Sequence, residues 1–180
     1  MNDRVILDLC GGTGAWSKPY SDAGYDVRLV TLPEGDARLY LPPANVHGIL
    51  AAPPCTHFSG SGARWWKKKG TAALLDGLSV VDACLRIIWR CEPEWWALEN
   101  PVGRLRKFIG PPRMYFNPCD YGDPWTKRTC LWGNFAVPQT TPVEPTEGSK
   151  IHKMPPSENR AELRSITPPH FAKAFFNANP

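Results

Sequence analysis

Three short apolar runs in the first 53 residues each stop at a glycine or a proline, and that repeat limits the folds open to the chain. VILDL after Arg4 runs into CGGTG, VRLVTL from Val27 stops at Pro33, and VHGILAA from Val46 stops at Pro53. A helical stretch from about Ser17 to Ala23 follows the first run. Strands alternating with connections in this way predict a parallel α/β sheet. From about Thr71 to Cys91 apolar residues recur at helical spacing (Leu74, Leu75, Leu78, Val81, Leu85, Ile88, Trp89), which predicts one long amphipathic helix. WWALEN then reads as a fourth strand, and RMYFNP and TCLWGNF as two shorter ones. Residues 136–159 are rich in Pro, Thr and Ser and read as an irregular surface connection. A last helix is expected from about Pro168 to Asn177, with Thr167 as its cap and Pro168 in the first turn. With 42% hydrophobic residues in 180, the chain can bury one good core, so residues 1–180 are expected to form a single domain.

No run of 18 apolar residues occurs, and MNDRVILDLCGG is unlike a secretory leader, so membrane and secreted readings fail and a cytoplasmic protein is expected. The six cysteines form no C-x-x-C pair, which argues against a zinc site and a disulfide framework. The histidines at 47, 57, 152 and 170 lack metal spacing, so no metal is expected. Residues 101–180 hold 11 of the 21 Lys and Arg but only 6 of the 17 Asp and Glu. That imbalance points weakly to a polyanionic partner on one side.

Candidate chemistry gathers at the ends of the strands, where open α/β sheets bind their ligands. Asp8, Gly11, Gly12 and Gly14 form a turn whose glycines let backbone approach a cofactor; a purely structural turn fits the residues as well. Asp36, after the second strand, reads either as a turn residue or as an acceptor for an adenine amino group. Cys55 follows the third strand behind Pro53 and Pro54, and the small residues Ser59, Gly60, Ser61 and Gly62 after it suit a moving loop. A lone cysteine is usually packing, but Glu99 and Asn100 end the neighbouring strand. A thiolate adding at C6 of cytosine turns C5 into an enamine carbon, while an acid hydrogen-bonded at N3 stabilises the developing charge.

DLCGGTGAWS, APPCTHFS, ALENPVG and RSITPPHFAKAFF, in that order, resemble motifs of the DNA cytosine-5 methyltransferases, in particular small phage-type members. The resemblance implies a Rossmann-like methyltransferase fold, a mostly parallel sheet flanked by helices, with S-adenosylmethionine as cofactor. It implies that Cys55 is the nucleophile and that Glu99, supported by Asn100, contacts N3. It implies cofactor contacts from Asp8, Leu9, Gly11, Gly12, Gly14, Trp16, Thr31, Leu32, Asp36, Ala37, Pro53 and Ser165. If the chain is phage-encoded, the compartment is the host cytoplasm.

Three departures from the family pattern stand out. The second strand ends Val30, Thr31, Leu32, without the acid expected for the ribose, so either Glu34 substitutes for it or nothing does. The Gln-x-Arg-x-Arg motif appears as WTKRT, so Lys127 matches the first arginine, Thr129 replaces the second, and Arg128 is a candidate by proximity. The target-recognition region is reduced to about residues 134–163, so sequence readout is minimal or borrowed from a second copy or a partner subunit.

An enzyme acting on a base in DNA must extrude it or take it single-stranded. The stretch from Thr56 to Gly70 is expected to close over it. Pro54, His57 and Ser59 would lie near the base, Trp65 and Trp66 would stack or wedge, and Lys67, Lys68 and Lys69 would meet phosphates. The bland reading makes the tryptophans the start of a helix core face and the lysines a solvated run. Two competing functions remain: an amino-group methyltransferase acting on cytosine N4 or adenine N6, and a catalytically silent relative that binds nucleic acid or a partner.

Overall fold

The computed structural model describes residues 2–180. Six strands form one sheet: β1 (Asn2–Leu9), β2 (Tyr25–Val30), β3 (Val46–Ala51), β4 (Trp95–Pro101), β5 (Met114–Phe116) and β6 (Thr129–Asn134). Their order across the sheet is β2-β1-β3-β4-β6-β5. The first four are mutually parallel; β6 runs antiparallel to β4 and to β5. This is the expected α/β architecture with a mostly parallel sheet flanked by helices.

Every residue of β3 is buried, which explains why VHGILA shows no polar alternation: strands with parallel neighbours and covered faces read as continuous apolar runs. Successive side chains still go to opposite faces. Leu7, Leu9, Ile49, Ala51 and Leu98 meet Val81, Cys84, Ile87 and Ile88 of the long helix α2 (Trp66–Cys91; α1 is Lys18–Asp22). Ile6, Leu50, Ala97 and Leu131 meet Tyr20 of α1 and Phe171 and Phe175 of the closing helix (Pro169–Ala178) on the other face. The two phenylalanines are fully enclosed, each contributing roughly 2 to 3 kcal/mol of apolar burial.

The sequence reading needs four corrections. The helix expected from Thr71 does run to Cys91, but a preceding turn from Trp66 is joined to it across Gly70, whose φ of 74° breaks the helical path. A four-residue helix α3 (Arg106–Ile109) follows β4. The tract read as irregular contains α4 (Lys150–Lys153) and leads into α5 (Arg160–Ser165); both are too short to leave a legible period between Pro155 and Pro156 and their neighbours. The closing helix, α6, begins at Pro169 with Pro168 in the cap position and no side-chain cap bond, so Thr167 does not cap it. Thr167 instead faces the cavity described below. No helix among the described residues is long and apolar enough to cross a membrane.

Candidate active site

The glycine turn follows β1 directly. Asp8 is fully buried there, and its Oδ2 accepts a hydrogen bond from Ser17 Oγ at 2.6 Å while Oδ1 has no partner. Gly11 packs against this carboxyl so closely that a Cβ would collide with it. Burial pushes Asp8 up to about 6, against the opposing hydrogen bonds of Ser17. A carboxyl raised in the folded state binds its proton there more tightly than in the unfolded chain. Stability therefore falls as pH rises from the ordinary carboxyl range to about 6, then levels. Asp8→Asn is expected to be more stable than the parent at about pH 8 by up to roughly 3 kcal/mol, the gain fading toward pH 4. Urea unfolding across that range measures it.

Cys55 opens a 3-10 turn (Cys55–His57) four residues after β3, and its carbonyl accepts hydrogen bonds from the Phe58 and Ser59 amides at 2.9 Å each. Phe58 is fully buried and anchors the turn. The fully buried Asn100 donates from Nδ2 to the Pro53 carbonyl at 2.9 Å, tying the end of β4 to the approach to Cys55. Asn100 thus positions the thiol from beneath rather than lining the cavity.

Glu99 is half-buried, with its Oε1 shut from solvent and unpartnered, and burial pushes its carboxyl up while Lys127 opposes the shift. Burial also pushes the Cys55 thiol up, Glu99 adds to that, and Lys127 and Arg164 pull it down. One cation thus acts on both groups. Lys127 reaches this edge because β6 is antiparallel: it enters the sheet where β3 and β4 leave it. Thr129, standing where the family pattern has an arginine, is buried and donates to the Lys127 carbonyl at 2.9 Å, so it shapes the lysine's backbone.

These groups share a cavity of about 630 Å³. Of the residues expected from sequence, Asp8, Gly11, Gly12, Trp16, Pro53, Pro54, Cys55, Ser59, Glu99, Lys127, Arg128 and Ser165 line it. Leu9 and Ala37 are instead core residues, Gly14 stands back in the turn with φ of 70°, and neither Thr31 nor the largely exposed Leu32 lines the cavity. Asp36 also lies outside the lining, in an ion pair with Arg38 at 2.6 Å that pulls its carboxyl down. Arg38 in turn reaches Asp76 of α2.

The loop after Cys55 differs most from expectation. His57 packs its side chain toward Gly77 of α2, and its carbonyl accepts from Arg104 Nε at 2.7 Å. Trp66 lies under the Arg104 guanidinium, 4.5 Å from its ring centre, and Lys69 donates to the Thr56 carbonyl at 2.9 Å. Trp65, Lys67 and Lys68 do not line the cavity either. The segment is pinned near its start: the Gly60 amide donates to Val102 and the Arg104 amide to Phe58, both at 2.9 Å. Gly103 allows this approach, since a Cβ there would collide with the Phe58 carbonyl. Any closing motion therefore belongs to residues beyond Gly60.

Sequence reasoning missed Ile151, His152, Ala161 and Arg164, which line the cavity from α4 and α5. Ala161 and Arg164 sit three apart, on one helical face, a signal too brief to distinguish from chance.

No family model matches the chain, and no curated protein matches it. Among solved structures, one candidate DNA modification methyltransferase encoded within an Escherichia coli prophage is 17% identical, with a TM-score of 0.47. The match covers 87% of this chain and 50% of that one, so the chain spans half the length of the structure it resembles.

Proposed function

We propose that the chain is an S-adenosylmethionine-dependent DNA methyltransferase acting at C5 of cytosine. The observation that carries this reading is the convergence of Cys55, Glu99 and Lys127 on one cavity beside a glycine turn. The cofactor fits the residues present. Gly11 and Gly12 give a backbone edge without side chains, and the buried Asp8 Oδ1 and Trp16 Nε1 are polar atoms without protein partners. Bound there, the cofactor would supply the methyl group received by C5. The cavity volume lies within the range of small-molecule sites.

In this mechanism the Cys55 thiolate adds to C6 of the cytosine, and Glu99 gives its proton to N3 as negative charge develops on the ring. C5 is then a nucleophilic enamine carbon. After it is methylated, solvent water takes the C5 proton, the C6–S bond breaks to release the Cys55 thiolate, and N3 returns its proton to Glu99, which restores the aromatic ring and the starting carboxyl. Lys127 serves the first step, since a cation beside the sulfur favours the thiolate.

Lys127→Met is therefore expected to raise the pH at which Cys55 is alkylated by iodoacetamide, followed by peptide mass spectrometry. Methyl transfer should fall about tenfold to a hundredfold. The function itself is tested by incubating the protein with labelled cofactor and cytosine-containing DNA, then analysing the nucleosides. 5-Methylcytosine is the expected product. N4-methylcytosine or N6-methyladenine would overturn the C5 assignment, and failure to bind the cofactor would favour a silent relative.

A further inference from the structure

Three aromatic rings each carry across a face a cation from a segment that also contributes to the cavity lining. Trp65, 48% exposed, has the Arg64 guanidinium 5.3 Å and the Lys68 ammonium 5.9 Å from its ring centre. Tyr115, 37% exposed, has Arg128 at 5.1 Å, and Trp125 has Lys150 at 3.9 Å. The pairs come from three parts of the chain that also supply cavity-lining residues: Ser61 and Gly62 line it shortly before Arg64 in sequence, Arg128 lines it directly, and Ile151, the residue after Lys150, lines it. Lys150 is also paired with Glu147 at 2.6 Å, whereas Arg64, Lys68 and Arg128 make no ion pair among the described residues. Their charge is left for a ligand.

We propose that this rim is a track for single-stranded DNA, resting on the reading that the cavity takes one of its cytosines. In a duplex each base face is covered by its neighbours, so an exposed ring finds a stacking partner only where bases are unpaired. The cations beside the rings pair with the phosphates that flank a stacked base. The rim helices Lys150–Lys153 and Arg160–Ser165 have 4 and 6 residues. Elements of that length do not follow a major groove, which is read by a longer helix or a two-stranded ribbon. Binding through ring faces and phosphates tolerates sequence, in keeping with the short recognition region.

The test is fluorescence anisotropy of the full chain with a labelled deoxyribo-oligonucleotide holding one cytosine, with its duplex, and with the ribo-oligonucleotide of the same sequence. The single deoxy strand is expected to bind at least tenfold more tightly than the duplex. Trp65→Ala and Tyr115→Ala should each weaken it about tenfold, since stacking contributes on that scale per base. Circular dichroism melting checks their folding, and Trp65→Leu with Tyr115→Leu replaces any variant that does not fold. Equal or tighter duplex binding, or affinity unchanged in both variants, overturns the track; tighter ribo-oligonucleotide binding overturns its assignment to DNA. Nucleoside analysis separates this inference from the function beneath it. 5-Methylcytosine formed on duplex at the parental rate by Trp65→Ala sinks the track alone. Single-strand binding as expected, without 5-methylcytosine, sinks the proposed reaction alone.

Discussion

Cys55→Ala is expected to lower cytosine C5 methylation by roughly 10⁴-fold or more, because in the proposed mechanism the step that activates C5 is a bond to that sulfur. The substitution should leave the fold in place. The turn is held by the Cys55 carbonyl, by the buried Phe58 and by the Asn100–Pro53 bond. Thermal melting and binding of S-adenosylhomocysteine should therefore stay near parental values while turnover disappears. DNA containing 5-fluorocytosine makes the point directly. Fluorine at C5 does not leave as a proton does, so the parent protein should accumulate a covalent adduct that survives denaturing electrophoresis. Substantial C5 methylation by Cys55→Ala would eliminate the covalent route.

Glu99→Gln should reduce turnover by about 10² to 10⁴-fold, the range usual for losing a positioned general acid. Its pH profile is more diagnostic than its rate. Burial pushes both the Cys55 thiol and the Glu99 carboxyl up, yet the proposed reaction needs the first without its proton and the second with it. Those demands are compatible because the pair then holds one proton in total, and it need only pass from sulfur to carboxyl. The parental rate should accordingly be flat across neutral pH. It should fall on the acid side, where the pair takes up a second proton, and on the alkaline side, where it loses the last. Glu99→Gln leaves the thiol as the sole titrating member, so its rate should climb with pH through the neutral range. A variant that keeps the parental profile would show that Glu99 has no part in the proton transfer.

The strands before Cys55 were legible because each combines an apolar run with an abrupt stop, and the residues on their ends followed from that. Cys55 and Glu99 could be matched because β3 and β4 are parallel neighbours, Ala51 opposite Leu98, so both chains leave the sheet at one edge. Less of the surrounding cavity was legible. Arg164 and His152 belong to helices of one turn or little more, whose place is set by tertiary contact rather than by any period. Asp36 looked free to receive a ligand because its partner Arg38, two residues on, leaves no mark in a pattern of charges. His57 and Trp66 seemed to face the substrate because they are near Cys55 in sequence, yet Gly77 and Arg104, remote in sequence, hold them elsewhere.

The reversed direction of β6 makes strand alignment an electrostatic setting as well as a packing one. Glu99 lies opposite Leu131 and Leu98 opposite Trp132, whose indole donates to the Gly110 carbonyl at 2.9 Å and so helps fix the alignment. Slippage by one position would present Thr126 or Arg128 in place of Lys127 beside the sulfur, changing the field there without altering a single atom of Cys55 or Glu99. The acidity of the Cys55 thiol is in that sense encoded at the far end of Trp132, in a hydrogen bond to Gly110 remote from the sulfur in sequence.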